Sequence, residues 1–384
     1  MNRPAPFGQH PPALRVLDAS VPAAPILAGR VLLHENTRYI PHQRGAIDNS
    51  LGGVVLTGDN AETRAFKLRT EAGFTGTMLI DSAPYKSYTA TEDEPFLLPH
   101  DQMFPSLEDS LSFQKAGGAS AALTPTGYIP PAASKILKAV IREAHRIERA
   151  DTVVTLPVDV TWLSNERVDQ LIAACTRIKQ PKALIMVGQF DPLEHLKVNP
   201  ANLRRVITEV ENMMLLRSDL AALDAMAQGA LCAGIGVSST VRHCVAPGER
   251  AAVSGGGGPQ YPSVLMPDLM CFTGAQALSN RYANAESATC SCDVCDGRGL
   301  DRFLKADGET RVEAEDHNVL TWSAWVGEMA CYEAGPKRKA WWQAKCAAAL
   351  ARYPLENERI GLSAGRAGFK PPSPLEAWAT LPAS

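Results

Sequence analysis

The sequence predicts a parallel α/β fold, on three observations. First, short and nearly continuous apolar runs recur at 53–57, 77–81, 152–159, 183–189, 230–237 and 263–268, with a weaker candidate at 30–33. A strand buried on both faces of a parallel sheet has this pattern. Second, amphipathic segments of helical length alternate with these runs. Third, the 384 residues are 45% hydrophobic and 21% charged, enough apolar material for one large core. A closed barrel and an open doubly wound sheet share this alternation, and it does not separate them.

Residues 1–50 are Pro-rich and read as an irregular N-terminal segment, with the main domain over 51–369. The clearest helix is predicted over 132–150, where Ile136, Leu137, Val140, Ile141, Ala144 and Ile147 recur on one face. Further helices are expected over 166–177, 202–216, 219–228 and 338–352, the last after the break at Gly335-Pro336. The stretch 254–262, SGGGGPQYP, reads as a flexible loop or lid. It neither opens a helix nor ends in the GK[ST] of a phosphate-cradling loop. Residues 370–384 are Pro-rich and read as a surface tail.

The net charge is −3 and the pI about 6.3. This is not the basic footprint of a typical nucleic-acid-binding domain, although a local patch is enough for binding. Arg298, Arg302, Lys305, Lys337, Arg338 and Lys339 are the candidates for such a patch, against the plainer reading of solvated surface charge. No apolar run approaches the roughly 18 residues of a membrane span. The N-terminus has no signal-peptide core. The expected location is therefore the cytoplasm, with no membrane partner.

Of nine cysteines, Cys290, Cys292 and Cys295 fall close together, and His317 follows. Three thiolates in one turn plus an imidazole from a later segment make a Cys3His set, a common structural zinc site with no open coordination position. The expected cofactor is therefore a structural Zn2+, held by a subdomain over 286–320. A zinc deaminase site is disfavoured, because its H-x-E and the Pro of its P-C-x-x-C are missing.

Three acids follow apolar runs: Asp81 after TMLI, Asp159 after TVVTLPV and Asp268 after VLMP. Gln189 closes ALIMVG in the same way, and Gly234 and Gly236 interrupt ALCAGIGV. Strand ends in a parallel barrel converge on one face, where active sites form. Singly, each acid reads first as a helix cap or loop carboxylate. Together they offer the nucleophile and general acid/base that glycosidic bond exchange requires.

At this point the chain resembles the tRNA-guanine transglycosylases, from about residue 73 to about residue 352. The C-x-C-x-x-C pattern of Cys290, Cys292 and Cys295, followed by His317-Asn318, carries most of the resemblance, and Pro125-Thr126-Gly127-Tyr128-Ile129 adds to it. The family's acid/base loop, D-S-G-G-F/Y-Q, reads Asp81-Ser82-Ala83-Pro84-Tyr85-Lys86 here. Asp81 and Ser82 match, and Tyr85 falls on the base-stacking aromatic. The two glycines and the glutamine are replaced. Asp159 matches the base-reading Asp. Gln189 resembles the family's Gln with the Gly-Gln order reversed. Gly234 resembles the glycine whose N–H meets the base, and Asp268 the nucleophile. The P-T-R segment of the bacterial enzymes is missing after Asp268.

The resemblance implies a (β/α)8 barrel with an inserted structural zinc subdomain near its C-terminus. It implies an exchange of guanine in a nucleic acid, tRNA or DNA, for a 7-deazaguanine such as 7-cyano-7-deazaguanine. Asp268 would form a covalent glycosyl-enzyme and Asp81 would manage the protons. Ser82, Tyr85, Asp159, Gln189 and Gly234 would bind the base. The altered acid loop tilts the expectation toward the DNA-modifying branch. A homodimer or an accessory subunit is the implied assembly. Two other readings stay open: a non-catalytic zinc-containing partner subunit, and an unrelated zinc-containing α/β protein.

Overall fold

A computed structural model describes residues 21–36, 48–58, 60–98, 106–251, 261–362 and 368–381. Eight parallel strands alternate with helices and form a nearly closed barrel. The strands are β1 Arg30–Asn36, β2 Gly52–Thr57, β3 Thr77–Asp81, β4 Ala122–Leu123, β5 Thr152–Asp159, β6 Lys182–Val187, β7 Met213–Ser218 and β8 Cys232–Gly236. They lie in the order β3-β2-β1-β8-β7-β6-β5-β4, so β1 pairs with both β2 and β8. The remaining seam, between β3 and β4, is bridged by Ser120. Its N–H donates to the Met78 carbonyl at 2.7 Å, and its Oγ accepts the Met78 N–H at 3.0 Å.

Alternation along each strand divides the side chains between two cores. Leu32, Val55, Leu79, Val153, Ile185, Met214, Leu216 and Cys232 fill the barrel interior, roofed by Tyr85, Tyr128 and Cys244. The opposite faces carry Leu33, Leu156, Leu184, Leu215 and Ile235, which pack against the helical layer. Gly53 is required here. It has φ +157°, and a Cβ would lie 2.3 Å from the Thr77 carbonyl oxygen.

The predicted strands at 53–57, 77–81, 152–159, 183–189 and 230–237 all occur, shifted by a few residues at most. Three expectations are corrected. The helix predicted over 202–216 is instead a helix Asn199–Glu209 followed by β7. Asn212, at φ 52°, makes the turn between them. The continuous run MMLLR carries no periodicity to distinguish strand from helix. Second, the 263–268 run is not a barrel strand. Residues Ser263–Met266 form β9, which pairs antiparallel with β10, Cys271–Gly274, in a hairpin beyond the barrel. Third, the barrel begins before residue 51, at β1, and the expected tail holds a helix, Ser373–Thr380, with Leu375 and Trp378 buried. The Gly-rich loop at 254–262 lies largely outside the described residues.

After the barrel, the helices Gly308–Ala330 and Pro336–Arg359 pack back over the hairpin and the helical layer. A buried ion pair anchors the second of them. Arg204 meets Asp224 at 2.7 Å, and the Trp342 indole N–H donates to the same carboxylate at 2.9 Å. Asp224→Ala leaves Arg204 charged, buried and unpaired. Its expected cost is about 3–5 kcal/mol, measured as a lower urea midpoint at unchanged slope.

Candidate active site and metal centre

Asp81 ends β3 on its inward face, at the C-terminal rim of the barrel, and is 3% exposed. The chain then turns sharply. Ala83 takes φ 49° and donates its N–H to Asp81 Oδ1 at 2.9 Å. This is a left-handed conformation that glycine adopts freely and alanine does not. The turn leads into a short 3-10 helix, Pro84–Lys86, which swings Tyr85 back so that its hydroxyl donates to Asp81 Oδ2 at 2.5 Å. His34, from β1, places Nε2 at 3.3 Å from the same oxygen. Arg217, at the end of β7 with φ 54°, sets its guanidinium 5.8 Å from the Tyr85 ring centre and donates to the Thr240 carbonyl.

These four side chains form one buried polar cluster. Burial pushes the Asp81 carboxyl up, but His34, Tyr85 and Arg217 outweigh it and hold the group below the usual carboxylate range. Burial dominates at His34, whose pKa is lowered despite Asp81. Burial and then the Asp81 charge push the Tyr85 hydroxyl well up, so it stays a donor.

Among the described residues, several buried atoms at this rim have no hydrogen-bond partner. They include both ring nitrogens of His34, Asn36 Oδ1, Thr57 Oγ1 and Arg217 Nε and Nη1. Asn36, Thr57 and Asp81 stand side by side in register across β1, β2 and β3. Left unmet, such atoms cost about 1–3 kcal/mol each, and clusters of them mark places where a polar ligand or ordered water completes the set.

The other expected site residues are placed as follows. Asp159 ends β5, half-buried. Its Oδ2 accepts the Tyr128 hydroxyl at 2.8 Å, and its Oδ1 accepts both the N–H and the hydroxyl of Thr161. Gln189, just past β6, donates its amide to Glu249 and to the Arg250 carbonyl, both at 3.1 Å. Gly234 is the middle residue of β8, in register with Leu32; a Cβ there would sit 3.2 Å from Leu216. Ser82 is exposed at the rim. Tyr85 is 1% exposed, so its ring is packed in the barrel roof rather than open for stacking. Phe190 is the exposed aromatic nearby, 57% exposed at φ 53° directly after Gln189.

Asp268 is elsewhere. It lies in the turn of the β9–β10 hairpin, with its side chain 77% exposed and 3.6 Å from Arg352. It borders a cleft of about 380 Å³ with Met270, Trp325, Lys345 and Arg352. Among the described residues, no hydrogen bond or ion pair joins it to the Asp81 cluster.

His34 and Arg217 escaped the sequence reading. For His34 the available signal was a polar residue on the inward phase of RVLLHEN. Arg217 falls on the outward phase of MMLLRS and turns inward only at the register shift and positive φ that end β7, which the sequence does not signal. Four of the candidate basic residues have partners. Arg298 and Arg302 both face Glu313, Lys337 faces Glu333, and Arg338 donates to the Tyr332 carbonyl.

The second constellation lies beyond the barrel. Cys290, Cys292, Cys295 and His317 bring their ligand atoms within 4.8 Å of one another and could hold a metal ion. The cysteine turn is closed by backbone bonds from Cys295 and Asp296 to the Cys292 carbonyl and from Gly297 to that of Cys290. His317 Nδ1 stands 3.5 Å and 3.3 Å from the Cys292 and Cys295 sulfurs. An edge of about 3.6 Å is what a tetrahedral S–metal–N pair requires at ordinary zinc bond lengths. His317 Nε2 donates to the Leu265 carbonyl at 2.8 Å, which leaves Nδ1 as the ligand atom. The neighbouring Asn318 accepts the Leu265 N–H and donates to the Ser263 carbonyl, so the His-Asn pair clamps β9.

No protein-family model matches the chain, and no curated protein matches it. Among the described residues, no helix is long and apolar enough to cross a membrane.

Cys292→Ser removes one of the four ligands. The expected outcome is loss of bound metal by elemental analysis together with a lower melting temperature, because metal binding contributes folding energy. Full metal content, or an unchanged melt on metal loss, would remove the structural role.

Proposed function

We propose that this chain is a base-exchange transglycosylase that replaces guanine in a nucleic acid with a 7-deazaguanine. The observation that carries this reading is the rim of the barrel: a buried, ionised Asp81 surrounded by unpartnered donors and acceptors. A polar heteroaromatic base has the complementary edges for such a rim. The Cys3His cluster, which follows in the order the resemblance requires, supports the same reading, with zinc as the proposed ion. That zinc is structural and enters no chemical step.

In the proposed reaction a flipped nucleotide enters the barrel mouth. A carboxylate attacks C1′ and expels guanine, leaving a glycosyl-enzyme. Guanine leaves as its anion and takes a proton from water. The incoming base then gives its N–H proton to the ionised Asp81 while its nitrogen bonds to C1′ and displaces the enzyme carboxylate, with Asp159, Gln189 and Gly234 reading its polar edge. The resemblance assigns the attack to Asp268. DNA is the favoured substrate and tRNA the alternative, because the acid loop carries Ala83-Pro84 in place of glycines. A homodimer or an accessory subunit completes the proposed assembly.

One observation favours a second reading, a non-catalytic partner subunit. Asp268 stands on an exposed hairpin turn, paired with Arg352, instead of at a barrel strand end.

The test is incubation of the purified protein with radiolabelled guanine and, separately, tRNA or duplex DNA. Label is expected in the DNA. Label in tRNA alone moves the substrate to tRNA, and no label in either favours the partner subunit. Asp81→Asn should lower incorporation about 10²-fold or more. Asp268→Ala should abolish it; retained turnover in that variant removes Asp268 as the nucleophile.

A further inference from the structure

We infer that His34 is a positioning residue for Asp81, donating its Nε2–H to the carboxylate so that the group stays ionised and turned toward the barrel mouth. The kinetic consequences rest on the transglycosylase reading; the pairing itself does not. His34 is 0% exposed on the inward face of β1, and its Nε2 lies 3.3 Å from Asp81 Oδ2, in reach of the carboxylate but not yet aligned as a formed hydrogen bond. Hydrogen bonds of this kind are commonly long in ligand-free enzymes and tighten on binding. Tyr85 donates to the same oxygen, while the Ala83 N–H takes Oδ1. The carboxylate is thus held by two donors from the turn and short helix after β3, with His34 of β1 poised as the third.

The charge balance fixes the tautomer. Other charged and titratable groups near the pair are Arg217 from β7 and Lys86 and Tyr85 beyond β3, with Cys244 beyond β8. The in-register neighbours of His34 on β2 and β8, Val55 and Gly236, carry no charge. With Arg217 already cationic and fully buried nearby, a second buried cation at His34 is disfavoured. A neutral ring facing a carboxylate puts its proton on Nε2 and its lone pair on Nδ1, which has no partner among the described residues. His34 therefore orients Asp81 without neutralising it, as an imidazolium would.

The test compares guanine exchange against pH in the wild type, His34→Leu and His34→Gln. Leu removes the donor at similar volume. Buried Asp81 should then take up its proton at higher pH, moving the acid limb of kcat up by about one pH unit and lowering kcat about tenfold on that limb. KM should change little. Gln keeps an amide donor near the Nε2 position and should restore the wild-type limb. An unmoved limb in His34→Leu, or identical profiles for Leu and Gln, overturns the inference.

If the wild type exchanges no guanine, the transglycosylase reading fails separately, and urea unfolding against pH decides the pairing. A lowered Asp81 pKa contributes stability above the unfolded value and loses it as pH falls through the folded value. Asp81→Asn should therefore cost less in the His34→Leu background than in the wild type. Equal costs in both backgrounds mean no coupling. If His34→Leu does not fold, the same cycle is run with His34→Asn, whose shorter side chain cannot place a donor at the Nε2 position.

Discussion

The burial of Asp81 is the constraint on which the barrel rim depends. A carboxylate taken out of water in an apolar barrel is costly unless donors and opposite charge surround it. The neighbouring elements supply these. β1 contributes His34, β7 bends at Arg217 to bring a guanidinium inward, and the turn after β3 accepts a left-handed Ala83 so that Tyr85 returns over the carboxylate. Backbone strain at two non-glycine positions beside one buried charge is the kind of local cost that packed structure maintains at functional sites.

The Cys3His cluster solves a different problem. The hairpin β9–β10 has only two strands, too few to be stable alone. His317 and Asn318 bind its backbone at Leu265 and Ser263, while the same His317 faces the cysteine turn. The clamp thus ties three separated stretches together: the hairpin, the cysteine turn and the long helix. Burial extends along that helix through Trp322, Trp325 and Met329.

Much of the chemistry was legible in the sequence because it rests on residue types at short spacing. The cysteine cluster with His317 is such a case, and so is Asp81 closing TMLI. Asp268 was misplaced for a physical reason. The run SVLM is as apolar as a barrel strand, since it too is buried, but its partner is β10 and not the sheet. Burial alone does not reveal what covers a strand. Tyr85 shows the same limit. Its spacing from Asp81 is that of a stacking aromatic, yet the turn through Ala83 and Pro84 brings its ring into the barrel roof.

By itself the sequence determined the strand and helix alternation and the donor set for a metal. These depend on local periodicity and residue chemistry, which are written along the chain. Tertiary structure alone decided that the sheet closes through Ser120, that MMLLR is a strand, and that His34 and Arg217 meet Asp81 across the barrel. It also decided that Asp268 stands apart from them. The pairing of His34 with Asp81 joins residues distant in sequence, and only the closed curvature of the sheet brings their side chains to one point.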